Sequence, residues 1–240
     1  MRNIYFAGLS LIILSLPAVL PAQELNLVVE PGMGTYRMTD LRELNRLTLN
    51  SLLFKAEQTD DFPSYWNYKS SLLFSMKRLV SFGVTFSHES TGARISRADY
   101  SGEYRFDTRI RAFSPGAVAE VWFPVNKFII ALSNEAGFEY SKLRLTEYFR
   151  VESESEQAAY TFTSKNFYYE PAIKLSYPVW LFRLGISAGY LFDLNRDALS
   201  GTDVNVKSII LSNGDKAVSD WSGVRIGASL SYNILRTKIE

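Results

Sequence analysis

The sequence predicts an all-β fold: an eight-stranded antiparallel up-and-down transmembrane β-barrel with a short helix in its first extracellular loop. Three observations predict it. Stretches of about ten residues alternate strictly between two kinds of side chain, the period of a strand with unlike environments on its two faces. The bulky apolar residues lie on one face and the small or charged ones on the other, as in a barrel that turns its bulky face to lipid. Short and long connections also alternate along the chain, as where turns gather at one membrane surface and loops at the other. The clearest strand sets Val80, Phe82, Val84 and Phe86 against Ser81, Gly83, Thr85 and Ser87.

The 240 residues allow one barrel or one to two ordinary domains, and 26 basic against 25 acidic side chains give no electrostatic case for nucleic acid. Met1-Arg2-Asn3, an apolar run over residues 4–20 and Pro21-Ala22-Gln23 read as a signal peptide over 1–22, leaving 23–240 as the barrel. There is no cysteine, which excludes a lipoprotein anchor, a disulfide scaffold and thiolate metal sites. Beyond the leader no apolar run reaches the roughly 18 residues of a helical span. Export without a helical anchor leaves a periplasmic, surface or outer-membrane protein of a Gram-negative bacterium, with no cofactor implied, and the strands taken in order favour the outer membrane.

Taken in order, Leu25, Leu27, Val29, Pro31 and Met33 alternate with inward Asn26, Val28, Glu30, Gly32 and Gly34 in the first strand. Asp40-Leu41-Arg42-Glu43 resembles a capping box, and Leu41, Leu44, Leu47 and Leu52 share a face, predicting an amphipathic helix over about 40–53. That leucine face needs cover, either at the barrel mouth with the helix as a lid or at the outer-leaflet interface with the helix lying flat, and the lid is expected because a loop joining adjacent strands reaches the mouth more easily. Arg42 and Arg46 lie off the stripe, where lipopolysaccharide phosphates could meet them. Trp66, Tyr68, Leu72, Phe74 and Met76 mark the second strand, and Lys77-Arg78 turns into the third, which rises to a polar crest over 88–94.

The fourth strand, 104–123, places Phe113, Pro115, Ala117, Ala119, Val121 and Phe123 outward. Its phase, continued upward, turns Arg109 and Arg111 outward too, so either they lie above the lipid or a bulge flips the phase. Phe128 to Tyr140 form the fifth strand, with Asn134 the one polar misfit on its outer face. Residues 167–177, 184–193 and 224–233 supply the sixth, seventh and eighth. Turns near 77, 125 and 179 are short and share the periplasmic end with both termini. Loops are expected at 38–63, 95–102, 151–159 and 196–218. Phe123, Phe128, Tyr177 and Trp180 would form a periplasmic aromatic girdle.

An eight-stranded barrel is just wide enough for side chains to fill, so no open pore is expected. Inward Glu30, Glu120, Glu135 and Glu170 face Lys69, Lys174, Arg183 and Arg225, predicting a lumen charge network, because unpaired burial would cost several kcal/mol per ion.

Gly32-Met33-Gly34-Thr35-Tyr36-Arg37-Met38, Asp40-Leu41-Arg42, Ser90-Thr91-Gly92-Ala93-Arg94-Ile95 and Asp99-Tyr100-Ser101-Gly102-Glu103-Tyr104 together resemble the small outer-membrane β-barrel family common in the Bacteroidota. The resemblance implies a barrel of the OmpA and OmpX shape and carries over no catalytic residue. His88-Glu89-Ser90 also resembles the His-x-Ser of outer-membrane lipid A deacylases, in which His88 would activate Ser90 and Glu103 would orient the histidine. The leading expectation is a non-enzymatic barrel, monomeric, surrounded by outer-membrane lipid and lipopolysaccharide, with a surface protein or glycan met at its rim. The alternatives are that hydrolase, and a narrow channel or transporter of small hydrophobic ligands.

Overall fold

A computed structural model describes residues 24–76, 79–100, 102–202 and 206–236. The leader expected over 1–22 and the turn expected at Lys77-Arg78 lie outside the described residues. The elements are β1 (Glu24–Gly34), α1 (Thr39–Ser51), β2 (Glu57–Asp61), β3 (Tyr65–Met76), β4 (Val80–Asp99), β5 (Gly102–Val125), β6 (Phe128–Val151), β7 (Glu154–Val179), β8 (Phe182–Asn195), β9 (Ser200–Gly201) and β10 (Gly223–Arg236). Eight strands pair antiparallel in the order β1-β3-β4-β5-β6-β7-β8-β10, and β10 pairs back onto β1 to close the ring. Closure leaves no free edge in the part of the sheet that crosses hydrocarbon, as such a sheet requires.

Strand lengths are unequal, and this shapes the molecule. β1, β3, β8 and β10 have 11 to 14 residues, whereas β5 and β6 have 24 each and β7 has 26. The wall over β4–β7 therefore stands far above the rest. Where β3 stops, β2 takes its place on β4 beside residues 93–96, and where β8 stops, β9 pairs with Phe162 and Thr163 of β7.

Two expected loops are corrected to strand. Residues 95–102 and 151–159 are polar in composition, yet β4 pairs with β5 up to Asp99–Gly102, and β6 with β7 up to Val151–Glu154. The polar crest at 88–94 is likewise an uninterrupted part of β4. Outside a bilayer the outward face of a strand is polar, so composition alone makes it resemble a loop.

The alternation never changes phase along β5 or β6, and no register shift interrupts their pairing with each other or with β4. What changes is polarity. In β5, outward Phe123, Val121, Ala119, Ala117, Pro115 and Phe113 give way to outward Arg111, Arg109 and Asp107, while inward Glu120 and Ser114 give way to inward Ala112, Ile110 and Tyr104. In β6 the change falls between Tyr140 and Lys142, and in β7 between Phe167 and Lys165. Arg109 and Arg111 thus lie above the lipid, with no bulge. Phe113 and Phe123 are ten residues apart, about 33 Å along the strand and about 25 Å along the axis at the usual tilt, the height of an outer-membrane apolar band. Phe128–Tyr177 and Phe182–Tyr232, with ring centroids 5.5 and 5.4 Å apart, edge that band below. No described helix is long and apolar enough to cross a membrane; the strands do so.

Inside, the barrel has two storeys. Within the apolar band the filling is mainly ionic and hydroxylic, with one small apolar cluster of Val28, Leu73 and Val118. Above it, the projecting wall encloses a hydrophobic core in which Ile110, Leu143, Leu145 and Phe162 from the wall pack against Met38, Leu41, Leu199, Ile209, Leu211 and Trp221 from two connections folded into the mouth.

Candidate functional site: the filled lumen and the projecting rim

The lower storey is built on two lysines. Lys69 of β3 reaches across to Glu135 of β6 at 2.9 Å and Glu170 of β7 at 2.8 Å. Lys174 of β7 contacts Glu120 of β5 at 2.9 Å and Glu30 of β1 at 3.6 Å. Neutral donors complete the carboxylates: the Tyr168 hydroxyl donates to Glu135 at 2.7 Å, the Trp122 indole to Glu120 at 2.9 Å, and Ser187 to Glu30 at 2.7 Å. A void bordered by Glu30, Lys69, Glu89 and Arg225 measures about 10 Å³, room for at most one water.

The two arginines of the expected network behave differently. Arg225 pairs with Glu89, a residue of the polar stretch 88–94, through a two-point contact at 3.1 and 2.8 Å. Its remaining donors reach the Thr35 and Trp221 carbonyls at 2.7 and 2.9 Å, and its guanidinium lies 4.8 Å over the Tyr36 ring. Arg183 makes no ion pair within 4 Å among the described residues and instead covers the Trp122 ring at 4.3 Å. Strict alternation was enough to turn Glu89 inward with Ser81, Thr85 and Ser87. Glu139, also inward by alternation, is fully buried and accepts from Ser141 at 3.2 Å.

The mouth is filled by two loops instead of one lid. Leu41 of α1 is fully buried and Leu44 packs on the same core, while Asn45 accepts a 2.8 Å bond from Thr108 of β5. Leu47 and Leu52 are half-buried, and the helix ends at Ser51. The capping box is corrected: the helix starts from Met38 in a left-handed conformation without a side-chain cap, and Asp40 accepts the Val218 amide at 3.0 Å, tying α1 to the second loop. Arg42 turns inward from lipid and clasps the two ends of its own loop through the Arg37 and Phe62 carbonyls and the Asp61 carboxylate. Arg46 is bonded to both oxygens of Glu43 at 2.7 and 2.8 Å, which holds that carboxyl below its usual range. The second loop, 196–222, brings Trp221 to the centre. Its indole donates to Ser141 at 2.7 Å, and its ring meets Tyr36 edge-on at 5.1 Å.

His88 and Ser90 face outward, His88 between Tyr68 and Phe113 on the neighbouring strands. Glu103 pairs opposite Ala98, ten residues further up β4 than His88, about 33 Å away along the strand. It is held by Arg150 at 3.2 Å. The structure does not bring these three residues together.

At the rim, Phe54, Arg97, Tyr104, Phe149 and Arg150 line a cavity of about 240 Å³. The Phe54 and Tyr104 rings meet edge-on at 5.3 Å, and Arg97 lies 5.6 Å over Phe54. Tyr100 and Leu53 are fully exposed beside it.

No family model matches the chain, and no curated protein matches it. Among solved structures it is similar to neisserial surface protein A, with 10% identity, 87% of this chain and 97% of that one covered, and a TM-score of 0.44. It is similar to the outer membrane protein OprG from Pseudomonas aeruginosa, with 8% identity, 88% and 97% covered, and a TM-score of 0.46. Ail, the attachment invasion locus protein of Yersinia pestis, gives 12% identity, 88% and 98% covered, and 0.35.

Proposed function

We propose that the protein is a non-enzymatic outer-membrane β-barrel of a Gram-negative cell that acts through its extracellular rim and has no open pore. The observation that carries this is the continuous filling of the interior, ionic within the lipid band and apolar above it. A wall braced from within keeps its tip in a fixed geometry, which is what a recognition surface needs. The rim supplies aromatic rings next to cations, with Tyr100 and Leu53 uncovered, a combination suited to a glycan or a surface protein. On this reading the short turns and both termini are periplasmic, the barrel is a monomer, and the chain belongs with the small Bacteroidota barrels its sequence resembles.

The test uses the protein in lipid nanodiscs on arrays of surface glycans and extracellular proteins, beside a variant carrying Leu53→Ser, Tyr100→Ser and Phe149→Ser. Specific binding by the wild type that the variant loses is the expected result. Planar-bilayer recording should show no conductance steps, and stable steps from the wild type would overturn the closed-barrel reading.

A further inference from the structure

High on the tall wall, outward cations are matched by acids. Arg94 pairs with Asp107 at 2.6 Å, Arg105 with Asp107 at 3.5 Å and Arg150 with Glu103 at 3.2 Å. One group departs from this. Arg109 of β5 lies directly opposite Arg144 of β6, and Arg111 directly opposite Lys142. All four are exposed, and among the described residues none has an ion pair. Two like-charged cross-strand pairs, stacked one above the other, repel and weaken the sheet unless an anion sits between them. Their Cα atoms stand about 5 Å apart across the strands and about 7 Å along them, so one multivalent anion can touch all four.

Position identifies the kind of anion. The group begins one outward step above Phe113 and Tyr140, at the edge of the apolar band. Below it Lys165 lies flat over the Phe138 and Tyr140 rings at 4.4 and 5.4 Å, the posture of a cation at a lipid boundary. On the other flank Ser90 and Gly92, opposite Arg111 and Arg109, carry almost no side chain. The gap they leave is part of a cavity of about 420 Å³ that Tyr65 and Arg94 also line. A recess beside four uncompensated cations, at the height where headgroups meet water, fits a phosphorylated sugar headgroup.

We propose that Arg109, Arg111, Lys142 and Arg144 form a binding site on the outer wall for the phosphates of a phosphorylated glycolipid in the outer leaflet, with the recess at Ser90 and Gly92 taking its sugar. This rests on the reading that the tall wall faces the cell exterior. The site is independent of the rim: it holds the barrel at a set height and orientation among its lipids.

The experiment places the protein in phosphatidylcholine nanodiscs doped with bisphosphorylated lipid A, with its dephosphorylated form, or with phosphatidylglycerol, and counts retained lipid by native mass spectrometry. Preferential retention of bisphosphorylated lipid A is expected, falling about tenfold or more when all four residues are changed to Gln. Where that variant fails to insert, the pair Arg109→Gln and Arg144→Gln carries the same test, with Lys127→Gln as a control that leaves retention intact. Equal retention of phosphatidylglycerol, or undiminished retention by the inserted variants, would overturn the site. Inorganic phosphate added to the disc separates the two sources of the anion: displacement of lipid A at millimolar phosphate would overturn a lipid ligand in favour of a soluble one. Insertion is scored separately by heat-modifiable gel migration, so failure here is distinguishable from failure of the barrel to adopt its membrane state.

Discussion

At the scale of single residues, the lumen is governed by the cost of burying charge. Arg225 is 6% exposed and Glu89 2%, and the pair ties β10 to β4 across the barrel. Removing one member of such a pair leaves the other ionised and buried, at a cost of about 3–5 kcal/mol. Arg225→Met is therefore expected to lower the urea midpoint of refolding into lipid vesicles markedly. Arg225→Met with Glu89→Leu should recover much of that loss, because neither charge is then stranded. A double variant no more stable than Arg225→Met would show that the arginine acts through the Thr35 and Trp221 carbonyls and not through Glu89. Asn134, the polar misfit on the lipid face, has its own resolution: the Tyr169 hydroxyl on β7 donates to its side-chain oxygen at 2.5 Å. Alternation placed most lumen charges on the inner face from sequence. It could not choose partners, because pairing across a lumen depends on strand tilt and side-chain reach, which no local pattern records.

At the scale of elements, α1 and the 196–222 loop share the work of closing the mouth. α1 was legible from its leucine spacing, although Asn45, not a leucine, occupies one fully buried position on its inner face. The second loop was not legible as a plug. Leu199, Ile209, Leu211, Ala217 and Trp221 are buried from short segments held by isolated bridges such as Ala198–Val218, and apolar Ile210 and Val218 stand between them, so the composition shows no alternation that marks an inner face. Leu41→Ala removes a fully buried side chain from the junction of both plugs and should cost about 2–5 kcal/mol of local stability. Hydrogen exchange would show this as faster exchange in both α1 and 209–221 with the strand amides of β5 and β6 unchanged. Acceleration confined to α1 would mean that the loops fold independently. Deleting residues 40–53 should leave the barrel non-conducting, since the Lys69 and Lys174 clusters lie beneath the plug.

At the scale of the whole molecule, two storeys of opposite polarity are stacked on one set of strands, a closed barrel below and the projecting wall of β4–β7 above. The lower one is inside-out, with Phe, Leu and Ile outward and Glu, Lys and Ser inward; the upper one has the soluble arrangement, with Arg, Lys and Thr outward and Ile, Leu and Phe inward. Unbroken phase through the boundary decides between the two readings of Arg109 and Arg111: the lipid ends below them, and no bulge turns them. The boundary can be measured. Single cysteines at 117, 113, 111 and 109 on β5, and at 136, 140, 142 and 144 on β6, all point outward, and the chain has no native cysteine to interfere. Spin labels at 117, 113, 136 and 140 should be accessible to oxygen and shielded from a water-soluble nickel chelate, with the preference reversing at 111 and 109 and at 142 and 144. A single outward step is about 7 Å along the strand, roughly 5 Å in depth at the usual tilt, so the reversal should be complete within one labelled position. A gradual change spread over three or more positions, or a reversal below 113, would mean that the bilayer sits lower on the wall and that the four unpaired cations stand clear of its headgroups.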